Sequence, residues 1–193
     1  MISKDRCYRH FEVRAQEEEG MFVEGYAAVF DHSTVMFEYD GVEYKEVICR
    51  GAFDKAQMSD VVMNFDHQGK PVARTKNSTL TLTVDDYGLK VRADLSGTTE
   101  ARELYDEIKA GYVDKMSFAF TIAKSSYDKE THTRGIERIK RLYDVAAVSF
   151  PAYESTSLEA RSFFEAEAEK ERAEARKQLD LAIAKYKYLE VKK

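Results

Sequence analysis

Up to Pro151 the chain is written mostly in short apolar or alternating runs separated by turn residues, a pattern that predicts strands more than helices. Residues 21–30, Met-Phe-Val-Glu-Gly-Tyr-Ala-Ala-Val-Phe, are β-prone and free of proline, and Asp31-His32-Ser33 supplies the turn after them. Between Phe37 and Cys49 two short strands flank Asp40-Gly41, a dipeptide suited to a type I′ hairpin. Phe53 to Ser59 fits one short helix, and Val61 to Phe65 a strand that delivers His67 at its end. The clearest hairpin joins Leu80–Val84 to Leu89–Leu95, both alternating with period two, through Asp85-Asp86-Tyr87-Gly88.

The pattern then changes period. Thr98 or Thr99 can cap a helix from Glu100 to Ala110, with Ala101, Leu104, Tyr105 and Ile108 on one face and Gly111 ending it. Strands return at Met116–Ala123 and Glu137–Phe150, and Pro151 closes the second. Six to eight strands with one or two intervening helices predict a mainly β fold with peripheral helices, an antiparallel β-barrel. From Ser155 onward the composition is rich in Ala, Glu, Lys and Arg, with i,i+3 pairs such as Glu167–Lys170 and Glu174–Lys177. This predicts a domain over 1–154 and a charged helical tail over 155–193, helical from 157 to about 188. Leu179, Ile183 and Tyr186 are too few for a sustained heptad.

Composition narrows the function classes. The 193 residues are 44% hydrophobic, enough for a core, and 34% charged, above the roughly 25% of an average chain. A net charge of −5 without clustered Lys and Arg argues against a nucleic-acid binder. No run approaches the ~20 apolar residues of a membrane span, and Met1 to Arg14 lack the apolar core of a signal peptide. Cys7 and Cys49 lack metal-ligand spacing and read as two reduced thiols of a cytoplasmic protein.

Candidate chemistry centres on two polar residues beside apolar runs. His67 follows Asn64-Phe65-Asp66, and Ser117 sits between Met116 and Phe118, where a polar side chain is costly without a partner. Histidine suits the task of taking a serine proton near neutral pH, and a third group that fixes its tautomer completes the relay. Asp144, in Leu142-Tyr143-Asp144-Val145, is a candidate for that group, although it can equally pair with Arg138, Lys140 or Arg141. Taken alone, a histidine after a strand is commonly a surface residue, and a serine within a strand commonly bonds the backbone. His10 and His32 lie in polar or turn contexts and read as exposed. A metal site through Asp66 and His67 lacks any HExxH-like spacing, so neither metal nor cofactor is expected.

Six segments in order resemble one family. Gly25-Tyr26-Ala27-Ala28-Val29-Phe30 with Glu46-Val47-Ile48-Cys49-Arg50-Gly51-Ala52-Phe53-Asp54 resembles the opening of the HK97-type phage prohead proteases. Phe65-Asp66-His67-Gln68 resembles their histidine motif, Asp85-Asp86-Tyr87-Gly88-Leu89-Lys90-Val91 their central hairpin, and Ile108 to Phe120 their serine motif. Tyr143 to Ala152 resembles their last strand, and the likeness covers roughly residues 12–153 but not the tail. The resemblance implies a serine endopeptidase with a barrel like that of the herpesvirus assembly proteases. It implies action inside the immature capsid in the host cytoplasm, on the major capsid protein or its scaffolding segment and on itself. It implies pairing as a homodimer. It assigns His67 as general base and Ser117 as nucleophile.

Two departures qualify the match. The family more often has Glu where Asp144 stands, and the herpesvirus relatives use a second histidine, which makes His132 a rival third member. Ala119 replaces a common glycine two positions after the serine. Backbone N–H groups in Pro151–Ser155 are candidates for an oxyanion hole. The alternative is an inert capsid-assembly module that keeps the barrel and binds through its tail.

Overall fold

The longest strand, β10 (Thr133–Val148), organises the sheet because both of its edges are occupied. In the computed structural model, which describes residues 7–15, 20–149 and 158–191, one edge pairs antiparallel with β9 (Lys115–Asp128). The other edge is shared in two parallel pairings: Thr133–Ile136 with β4 (Val42–Ile48), and Asp144–Ala147 with β5 (Val62–Phe65). Beyond β9 follow β1 (Cys7–Ala15), β2 (Phe22–Val29), β8 (Gly88–Asp94) and β7 (Leu80–Val84), and beyond β4 lies β3 (Thr34–Tyr39). Among the described residues β6 (Gln68–Arg74) pairs with β5 alone.

The fold is mainly β, as the alternation predicts, but two features of the expected barrel are corrected. The hydrogen-bonded path runs open from β3 to β7, and these two ends do not pair among the described residues. Instead α2 (Leu158–Val191) packs against β3, with Met36 in a cluster with Phe164 and the Arg172 guanidinium 4.5 Å from the centre of the Tyr39 ring. Nor is the sheet purely antiparallel, because β4 and β5 both enter beside β10 in parallel. A third correction concerns Phe53–Ser59, which is not helical. Its backbone is held by β10 through Ala52 O to Ile139 N (2.8 Å) and Gln57 N to Lys140 O (3.0 Å), which removes the groups a helix would pair internally.

Helix α1 (Thr99–Lys109) follows its pattern closely. The Thr98 hydroxyl accepts from Ala101 N at 3.1 Å, and Ala101, Leu104, Tyr105 and Ile108 are buried. Gly111 takes φ +79 after the last turn. The main core includes Val23, Leu89, Val91, Met116, Phe118, Phe120, Leu142 and Val145, with Phe118 stacked on Phe120 at 4.7 Å.

The tail is one helix of 34 residues, about 51 Å long at 1.5 Å per residue. Its first turns are not a detached appendage. Ala160, Phe164 and Ala168 are buried against Met36 and Tyr44, and Arg134 lies 4.0 Å over the Phe163 ring. Tyr127 donates to Glu171 at 3.1 Å, and burial pushes its phenol up from the usual range. From Arg172 to Tyr188 the helix is exposed.

Gly88 marks the closest backbone approach. It pairs with Val29, next to the register shift between Tyr26 and Ala28, and a Cβ there would meet Ala28 O at 1.9 Å. Gly88→Ala is therefore expected to lower stability by about 3 kcal/mol or more, measured by urea denaturation; a loss under about 1 kcal/mol would contradict this packing.

Candidate active site

The register of β9 on β10 decides which side chains share a face. Cross-strand partners point to the same side of a sheet, and successive residues to opposite sides. Leu142 pairs with Phe120, yet Asp144 pairs with Ala119. Two steps along β10 thus correspond to one step along β9, and Tyr143 is the extra residue of a bulge. The bulge moves Asp144 off the core face of Leu142 and Phe120 onto the face of Ala119 and Ser117. Ser117 itself pairs with Ala146, so serine and acid lie diagonally on one face, with small residues beside them. Met116, Phe118, Val145 and Ala147 fill the core on the opposite face.

His67 reaches this face from a tight turn. Phe65 pairs with Gln68, leaving Asp66 and His67 as the two central residues, with φ of +47 and +57. Both left-handed, they form the turn expected of a type I′ hairpin. Non-glycine residues in this region are strained by about 1–3 kcal/mol each, and Asp and His tolerate it better than most. The Ser117 hydroxyl donates to His67 Nε2 at 2.8 Å, which leaves Nδ1 to carry the ring proton and donate to Asp144 Oδ1 at 2.5 Å. Ser117 is 0% exposed. The side chains of His67 and Asp144 are 14% and 8% exposed.

The sequence therefore singles out three residues that the fold brings together. His132 lies at the other end of the β9–β10 hairpin, its Nδ1 3.2 Å from the Tyr127 hydroxyl and 3.4 Å from Glu171, so it plays no part in this cluster. His32 is exposed, as its turn context suggests. Cys49 is a free thiol that burial pushes up in pKa. The side chains of Cys7 and His10, and the segment Pro151–Ser155, lie outside the described residues.

Sequence reasoning missed three local features. Strand β1 flanks Ser117 through the pair His10–Ser117, but its mixed polar sequence carries no alternation strong enough to mark it. Asn64, 8% exposed, pairs with Ala146 on the same face as Ser117. Asp66 accepts from Ser149 N at 3.0 Å and from Ser149 Oγ at 3.2 Å, so both oxygens are committed within the chain. Beside the turn, a groove of about 620 Å³ runs between Phe65, Gln68, Lys70 and Val72 and the α1 residues Glu100, Glu103, Leu104 and Glu107. Lys70 and Glu100 pair across it at 2.5 Å.

A serine, an imidazole and a carboxylate in one hydrogen-bonded line have the geometry that a serine hydrolase requires. The chain belongs to the caudovirus prohead serine protease family, whose profile matches residues 9–171. It is 32% identical over 149 residues to the prohead protease of Enterobacteria phage HK97, covering 74% of this chain but only 60% of that protein's length. The bacteriophage T4 capsid assembly protease has the same fold, with a TM-score of 0.52 over 76% of this chain and 98% of its own, at 12% identity. Among the described residues no helix is long and apolar enough to cross a membrane.

The base of the His67 hairpin is fastened by charge. Arg74 pairs with Asp60 through Nε at 2.8 Å and NH2 at 2.9 Å, and Lys76 with Asp60 at 3.0 Å. Hydrogen bonds from Arg74 and then Lys76 hold the Asp60 carboxyl well below the usual carboxylate range. Because the folded value is the lower one, this contribution is present above the unfolded pKa of about 3.9 and is lost as pH falls through the depressed value. Asp60→Asn should lower Tm at neutral pH, with the gap to the parent closing as pH falls from about 5 toward 2. A gap that stays constant across that range, in differential scanning calorimetry, would refute the assignment.

Proposed function

We propose that this chain is a serine endopeptidase of phage capsid maturation, and the Ser117–His67–Asp144 line carries the reading. Membership of a prohead serine protease family supports it. Ser117 Oγ attacks the scissile carbonyl while His67 Nε2 takes its proton; the same proton then goes to the leaving amine, and the C–N bond breaks. Water, activated by the freed imidazole, hydrolyses the acyl-enzyme and restores Ser117. Asp144 holds the ring with Nδ1 protonated and stabilises the imidazolium. Since Ser117 has no exposed surface, a substrate must displace what covers it before attack.

The capsid protein or its scaffolding segment is the substrate of this reading, within the prohead, and the enzyme also cleaves itself. The name of the HK97 relative supports the setting. The projecting half of α2 is the surface for a second copy in a homodimer. Two turns beyond Ala168, Ala175 continues the face on which Phe164 and Ala168 dock, and Leu179, Ala182 and Tyr186 follow it in steps of three or four residues.

Ser117→Ala should leave capsid precursor uncleaved and the protease full length in infected cells, and normal processing by this variant would sink the assignment. Asp144→Asn should fold normally but lose about 10³–10⁴-fold in kcat. A fluorophosphonate should label Ser117 selectively; a barren reaction would favour the inert assembly module. Truncation after Arg176 keeps the docked turns of α2, so it should preserve peptide cleavage while lowering incorporation into proheads and dimer formation. Equal incorporation by the truncated and full chains would refute the role of the tail.

A further inference from the structure

Two adjacent residues hold the left-handed conformation at the turn, and nothing in regular strand pairing explains how His67 keeps its place there. Its ring must meet Asp144 on β10 and Ser117 on β9 at once, from a two-residue loop that belongs to neither strand. The neighbouring side chain supplies a fastening. Asp66 N donates to Ala147 O at 2.9 Å, and the Asp66 carboxylate accepts from both the backbone N–H and the hydroxyl of Ser149. Three hydrogen bonds thus tie the turn to the end of β10, at Ala147 and at Ser149 just beyond it. The turn and the acid are thereby referred to the same strand.

We propose that Asp66 is a positioning residue of this enzyme: by clamping the turn to Ser149 it sets the His67 ring in the one orientation that bonds Asp144 and Ser117 together. The proposal rests on the reading of His67 as the base. The chemistry of the clamp also dictates its replacement series. Asparagine tolerates the left-handed region, accepts from the Ser149 N–H through Oδ1, and donates from Nδ2 to the Ser149 hydroxyl. Alanine does none of these. Removing the Ser149 hydroxyl deletes one bond of the three and leaves the turn sequence intact.

The kinetic test compares Asp66→Ala, Asp66→Asn and Ser149→Ala on a peptide substrate, with the folded fraction of each measured by circular dichroism. Asp66→Ala should lose about 10–100-fold in kcat with KM little changed, since misplacing a catalytic group by about 1 Å has effects of this size. Asp66→Asn should recover most of that loss, and Ser149→Ala should fall between. A second arm uses Ser117→Ala protein, which cannot digest itself, and reads the His67 ring nitrogens by ¹⁵N NMR. With Asp66 present, the ring should show a single Nδ1–H tautomer bonded to Asp144; with Asp66→Ala added, it should show a tautomer mixture. Unchanged kcat in folded Asp66→Ala, equal losses in the Ala and Asn variants, or unchanged nitrogen shifts would each overturn the proposal. If Asp66→Ala does not fold, Ser149→Ala carries both arms. Should the parent enzyme fail to cleave any peptide, the reading of the site fails, while the nitrogen shifts still decide what Asp66 does.

Discussion

One extra residue in one strand determines whether the serine, the imidazole and the carboxylate of this protein can meet. Without the bulge at Tyr143, Asp144 would share the face of Leu142 and project among Phe118 and Phe120. A carboxylate there would be buried without a partner, at a cost of several kcal/mol. With the bulge, it stands on the face of Ser117, where an imidazole can bridge the two. The same slip keeps Leu142 in the core, so the strand satisfies both packing and chemistry. Bulges are common beside active sites for this reason: they re-aim a side chain without breaking the ladder on either side.

The bulge places two members, and the third depends on a different device. The β5–β6 turn holds two non-glycine residues at positive φ, a conformation that persists only where its surroundings over-determine it. The surroundings here are ion pairs at the base of the hairpin, from Asp60 to Arg74 and Lys76, and hydrogen bonds at its tip, from Asp66 to Ala147 and Ser149. Between them the parallel pairing of β5 with β10 fixes the register, Val62 with Asp144 and Phe65 with Ala147. The strand pairing and the tip bonds thus refer the line to β10, while the ion pairs brace the hairpin itself. A rigid frame of this kind is what a nucleophile and base need in order to stay within hydrogen-bond reach.

Much of the fold was legible because local rules and tertiary packing agree. The Asp40-Gly41 turn takes φ of +54 and +76, the Leu80–Leu95 hairpin pairs as its alternation implies, and α1 is capped and buried on the residues its period selects. Strand pairing was not legible. The parallel entries of β4 and β5 beside β10 depend on which edge is free after the chain collapses, and no local sequence encodes that. Phe53–Ser59 shows the conflict directly: its helical spacing yields to hydrogen bonds offered by β10. For the site, His67, Ser117 and Asp144 stand out as polar residues beside apolar runs, and their proximity is a property of the register. That Asp144 rather than His132 bonds His67 is visible only when β9 and β10 are laid side by side, because the pair of strands puts the two candidates at opposite ends.

That separation has a consequence for how the molecule divides its tasks. α2 docks where the β9–β10 hairpin turns, on Tyr127 and beside Arg134, while Asp144 and Ser117 lie toward the far end of the same two strands. Ten residues of strand from Arg134 to Asp144 span about 33 Å at 3.3 Å per residue. Over that distance the coupling must pass through a hairpin whose backbone is paired along most of its length and whose inner face is packed in the main core. A rigid element with one arrangement transmits little, because coupling between sites needs an element with two discrete states. In the proposed reading, this separation lets the tail be shortened beyond its docked turns without disturbing the serine. The two ends of one long hairpin thus carry the α2 dock and the Ser117–His67–Asp144 line separately, held apart by the strands that join them.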